Sequence, residues 1–72
     1  MNKEEFKAEM YRNGDNQGTL AKAMGISRVR LNAKINERGE ASFTQPEIAF
    51  IRSRYNLTSE RIDIIFFSSY VS

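Results

Sequence analysis

Apolar residues recur along this chain at the three- and four-residue spacing of helices, in short runs separated by polar or glycine-bearing breaks, and nowhere alternate as strand residues do. In the first run Phe6 and Met10 share an inward face, with Tyr11 beside them. Asn2 is placed to cap that helix, Glu5 completes a variant capping box, and Met1 and Phe6 sit at the two positions of a hydrophobic staple. Asn13, Gly14 and Asp15 end it in a turn. Asn16 or Asp15 then caps a second helix in which Thr19, Leu20, Ala21 and Met24 fall at helical spacing, and Gly25 lets the chain turn sharply. Ile26 drops back toward the core. Ser27 caps a third helix, running to about Glu37, whose inward residues Leu31 and Ile35 stand one turn apart.

A loop from Arg38 to Phe43 leads into the clearest local signal of the chain. Thr44 and Glu47 form a capping box, Phe43 and Ile48 a staple, and Pro46 lies in the first turn, where its missing amide costs little. Helix 4, about residues 45–55, points Ile48, Ile51 and Tyr55 one way. Leu57 closes the next turn, Thr58 caps helix 5 over about residues 59–67, and residues 68–72 read as a short tail. At 100° per residue, Ile62, Ile65 and Phe66 gather on one side of helix 5 and Ile64, Phe67 and Val71 on the other. One face packs inward, and the second is a candidate oligomer or partner patch that Phe50 extends from helix 4. An imperfectly phased core helix accounts for the same residues. The pattern predicts an all-α, compact, five-helix single domain over residues 1–72, with a helix-turn-helix at 16–37.

Charge is unevenly spread over these elements. Residues 16 to 38 carry Lys22, Arg28, Arg30, Lys34 and Arg38 against Glu37 alone, a balance of +4, whereas residues 1 to 15 and 39 to 72 each hold three bases and four acids. The net charge of +2 is therefore one basic element in mildly acidic surroundings, and a polyanion meets that element first. The 72 residues include neither Cys nor His, which removes disulfides, most zinc and transition-metal sites, thiol nucleophiles and imidazole bases. Glu60 and Asp63 lie close in sequence, but at a helix start acids simply suit the dipole. No enzyme, cofactor or metal is expected. No run approaches the roughly 18 apolar residues of a membrane span, and the opening M-N-K-E-E is too acidic and polar for a signal peptide. Action in the cytoplasm, without a membrane, is the expectation.

The stretch Asn16, Gln17, Leu20, Ala21, Gly25, Ile26, Ser27, followed by Leu31, Ile35, Asn36 and Gly39, resembles the T-Q-x-x-L-A-x-x-x-G-[IV]-S signature of Cro/CI-type helix-turn-helix regulators of temperate phages and bacteria. Asn16 stands where the signature has Thr, and Asn is an equally good cap. The later runs F-T-Q-P-E-I and I-I-F-F also look like small phage regulators of this group, so the resemblance spans nearly the whole chain. More narrowly, the chain resembles the modulator-of-repression proteins, Cro-like antirepressors of temperate phages of Gram-positive hosts. The resemblance implies a lambda-repressor-like fold and action in the bacterial host's cytoplasm on the lysis/lysogeny switch.

It also implies roles for particular residues. Gln17 and Asn36 match positions that touch the DNA backbone, and Ser27, Arg28, Val29, Asn32 and Ala33 match base-facing positions. The residues' own chemistry is compatible with this: amides at a helix N-terminus near Asn16 and Gln17 attract phosphate, Arg28 can bridge a guanine edge, Asn32 an adenine edge, and Val29 a thymine methyl. With Leu31 and Ile35 inward, Val29, Asn32, Ala33 and Asn36 form the outward half of helix 3, with Arg30 at its flank; Lys34 and Arg38 are expected to add nonspecific charge. A solvated basic face is the plain alternative for Arg28, Arg30 and Lys34. The short outward side chains Val29 and Ala33 suit a protein interface equally well. Two functional expectations follow: an antirepressor that binds a CI-type repressor and modulates its operator binding, or a stand-alone homodimeric Cro-type repressor reading double-stranded operator DNA with helix 3.

Overall fold

The computed structural model describes residues 1–67, folded as α1 (Lys3–Arg12), α2 (Gln17–Met24), α3 (Arg28–Ile35), α4 (Gln45–Tyr55) and α5 (Ser59–Ile62), the last continuing into a π-helical turn, Asp63–Phe67. Among the described residues there is no strand. Each helix starts on a short polar side chain that accepts from an amide of its first turn: Asn2 from Glu5, Asn16 from Thr19, Ser27 from Arg30, Thr44 from Glu47 and Thr58 from Arg61. The box is reciprocal at Asn16–Thr19 and at Thr44–Glu47. At Asn2 only the forward bond forms, at 3.2 Å, because the Glu5 carboxylate turns instead to the Arg61 guanidinium at 3.0 Å.

The first four helices end alike. An amide just past the helix reaches back five residues to a carbonyl of the last turn, in the pairs Asp15 N to Met10 O, Ile26 N to Ala21 O, Arg38 N to Ala33 O and Leu57 N to Arg52 O. These are Schellman closures, and each needs one left-handed residue. Gly14, Gly25, Glu37 and Asn56 supply it, with φ of 82°, 75°, 52° and 54°. Helix 3 therefore stops at Ile35, earlier than its apolar spacing predicts, because Glu37 leaves the right-handed region.

The core joins Phe6 and Met10 of α1, Leu20 and Ala21 of α2, Leu31 and Ile35 of α3, Ile48, Ile51 and Tyr55 of α4, and Leu57, Ile62 and Ile65. Phe6, Phe43 and Phe66 form an aromatic cluster with ring centroids 5.4 to 6.0 Å apart. The fifth helix does not continue as α through residue 67. Its last five residues widen into the π turn, which keeps Ile65 buried and Phe66 against the core, while the Asn2 amide donates to the Ile65 carbonyl at 2.8 Å.

Two polar knots lock the helices. Asp15, buried beside the first turn, accepts from Arg54 Nε at 2.7 Å, Arg54 Nη2 at 3.0 Å, the Tyr55 hydroxyl at 2.7 Å and Thr19 Oγ1 at 2.8 Å. Arg61 bridges Glu5 and the buried Glu9, each at 3.0 Å. No buried side-chain nitrogen or oxygen among the described residues lacks a hydrogen-bond partner. No described helix is long and apolar enough to cross a membrane.

Candidate functional site

The α2–turn–α3 unit is set by Gly25 and by the half-buried Ile26, which packs on the core and fixes how α3 leaves the turn. Because Leu31 and Ile35 are both essentially inaccessible, the opposite side of α3 must face outward. Ser27, Arg28, Val29 and Arg30 are exposed there, Val29 at 77%. Ser27 has spent its hydroxyl oxygen on the Arg30 amide, at 3.0 Å.

The amides of this surface are tied together in series. Asn32 Nδ2 donates to Gln17 Oε1 at 3.1 Å, Asn36 Nδ2 donates to the Asn32 carbonyl at 3.0 Å, and Lys3 Nζ donates to Asn36 Oδ1 at 3.1 Å. Asn32, Ala33 and Asn36 are accordingly half-buried rather than fully outward. Asn16 is exposed, but its Oδ1 is committed to the Thr19 amide at 2.9 Å.

Beside α3 lies an open cleft of about 410 Å³ lined by Tyr11, Asn16, Gln17, Arg28, Val29, Asn32 and Arg38. No carboxylate lines it. Arg28, Arg30 and Arg38 take part in no ion pair among the described residues, whereas Arg12, Arg54 and Arg61 each hold a carboxylate within 3.0 Å. Arg52 of α4 is likewise without an ion pair among the described residues and donates to Ser59 Oγ at 3.1 Å, but Arg28, Arg30 and Arg38 are the unpaired arginines gathered around α3, open to an anionic partner.

Lys34 departs from expectation. It is not an outward charge: only 5% exposed, it donates from Nζ to the Ser42 carbonyl at 3.0 Å and lies 3.1 Å from Glu47 Oε1. The reason is geometric, since a residue three past Leu31 and one before Ile35 belongs to the inward stripe whatever its charge. Burial opposes ionisation of Glu47, but the Thr44 amide and the Lys34 ammonium together outweigh it and hold its carboxyl below the usual range.

The expected apolar patch divides. Phe67 is 52% exposed and borders a hollow with Met1, Phe43, Ile48 and Phe66, and Ile64 is half-buried. Phe50, 39% exposed, does not extend that patch; it lines a separate cleft of about 210 Å³ with Ala23, Met24, Pro46 and Glu47, because its position on α4 turns it toward the end of α2. Val71 lies outside the described residues.

Periodicity sets Tyr11 beside the inward face of α1, but it is 60% exposed at the cleft. Its offset of 100° from Met10 was the available signal, putting it on the flank that meets the next helix. Among the described residues no cluster of acidic groups is arranged to hold a metal ion. No family model matches this chain, and neither a curated protein nor a solved structure matches it.

Proposed function

We propose that this chain is a Cro/CI-type helix-turn-helix regulator of a phage lysis/lysogeny switch, a Cro-like modulator that binds a CI-type repressor in the bacterial cytoplasm and changes that repressor's hold on its operator. It performs no chemistry of its own. The observation that carries this reading is the α3 face: Arg28 and Arg30, free of internal ion pairs, flank Val29 at 77% exposure, beside a cleft without carboxylates. Such a surface, apolar at its centre and cationic at its edges, is incomplete without an anionic, partly apolar partner.

Withdrawal of Lys34 favours a protein partner over DNA alone. It removes one phosphate-neutralising charge from the face, and Asn32, the natural reader of an adenine edge, is already engaged by Gln17. The second reading, a homodimeric repressor that lays α3 in the major groove, is supported by the same arginines and by the short Val29 and Ala33 side chains.

One experiment separates them. The chain is mixed with the repressor encoded beside it and with the intergenic duplex, and the pairs and triples that migrate together are identified. A chain–repressor complex, with or without duplex, supports the modulator. Specific binding of duplex by the chain alone, with no complex to the repressor, replaces it with the second reading, and binding of neither removes both.

A further inference from the structure

Lys34 has the least ordinary environment of any charged group in α3. Its stem runs along the inward stripe between Leu31 and Ile35, and its ammonium meets two acceptors on the far side of the loop, the Ser42 carbonyl at 3.0 Å and Glu47 Oε1 at 3.1 Å. The same Glu47 oxygen accepts from the Thr44 amide at 2.9 Å, within the capping box that starts α4. One carboxylate oxygen therefore joins α3, the α3–α4 loop and the first turn of α4. Lys34 is nearly dry, with its side chain 6% exposed, while Glu47, at 21%, keeps an edge to the cleft beside Phe50.

A desolvated ion pair is a poor source of stability, since removing two charges from water offsets most of their attraction, and apolar side chains of similar volume often serve the fold as well. What such a pair does supply is direction. Leu31 and Ile35 seat α3 through non-directional contacts, whereas an ammonium held between two acceptors adds a directional constraint on its rotation. We propose that Lys34 is a positioning residue, which sets the rotation of α3 and so the aim of Arg28, Val29 and Arg30 without touching the partner. This inference rests on the proposed function of the α3 face.

Three variants test it: Lys34→Met, Glu47→Gln and the double variant. Gln preserves the Thr44 capping box, so the double variant removes both charges and leaves the cap. Thermal unfolding and affinity for the purified neighbouring repressor and for fluorescently labelled intergenic duplex are measured on each. The double variant is expected to unfold within a few degrees of the parent while its affinity falls roughly tenfold or more, as a face displaced by a fraction of an ångström requires. Wild-type affinity in the double variant at native stability overturns the inference, as does an affinity loss that simply tracks unfolding across the three. Should the double variant fail to fold, Lys34→Arg replaces it: the bulkier guanidinium keeps the charge but shifts α3, so weakened binding by a folded protein is expected and unchanged binding overturns the inference. A parent chain that binds neither probe removes the function of the face itself, a result distinct from either.

Discussion

Asp15 does more for this fold than its place in a turn suggests. The Arg54 guanidinium, and after it the Tyr55 and Thr19 hydroxyls, hold its carboxyl well below the ordinary value near 3.8, against the burial that opposes them. Burial and the Asp15 carboxylate push the Tyr55 phenol above its ordinary 10.0. The depressed carboxyl contributes stability that is complete above its unfolded pKa and is lost as pH falls from there toward the folded one. The raised phenol contributes stability complete below its unfolded pKa and lost as pH climbs past it. The cluster's contribution is therefore flat between about pH 4 and pH 10 and declines on both sides. Asp15→Asn should cost about 2 kcal/mol at neutral pH, and chemical denaturation at several pH values should show the acid-side decline reduced in that variant. The partners on Arg54 and Tyr55 were invisible in the sequence because they lie 39 and 40 positions away. Lys34 is the opposite case: Leu31 and Ile35 mark its position as inward, while its charge alone points to the surface.

At the scale of the elements, the N-caps were the most legible part of the chain. Ser27, Thr44 and Thr58 each accept the amide that sequence chemistry assigns them, because a cap is decided by four consecutive residues. Helix ends were less legible, since a left-handed closing residue need not be glycine. Gly25 announces itself; Glu37 does not. At φ 52° Glu37 pays for a conformation that glycine adopts freely. Glu37→Gly relieves that strain but loses the ion pair its carboxylate makes with the Met1 ammonium at 3.3 Å, so the unfolding midpoint should hardly move, whereas Gly25→Ala, at φ 75°, should lower stability by about 1 kcal/mol. The π turn after Ile62 had no sequence signal, because what widens the helix there is the packing of Ile65 and Phe66 on α1 rather than any local preference.

For the whole molecule, the contrast between a buried core and an exposed α3 face sets apart two classes of substitution. Leu31→Ala removes a wholly buried side chain and should cost about 2–5 kcal/mol, enough to unfold so small a domain. Arg28→Ala removes an exposed group and should leave the unfolding midpoint unchanged while weakening repressor or duplex binding, as titrations of the two proteins would show. If duplex is the ligand, Arg38→Ala should lower the slope of log affinity against log salt by about 1. Phe67→Lys should abolish self-association or repressor binding without loss of helical circular dichroism, if the hollow bordered by Phe43 and Phe66 is an interface.

The bond from the Asn2 amide to the Ile65 carbonyl, together with Phe66 against Phe6, stitches the earliest residues to the latest described ones. During synthesis α1 can then pack on the helices that follow it but completes its contacts only when the segment around residue 65 has left the ribosome. A chain cut before Ser59 should accordingly show weak protection of α1 by amide exchange, because the two ends of the fold hold each other in place.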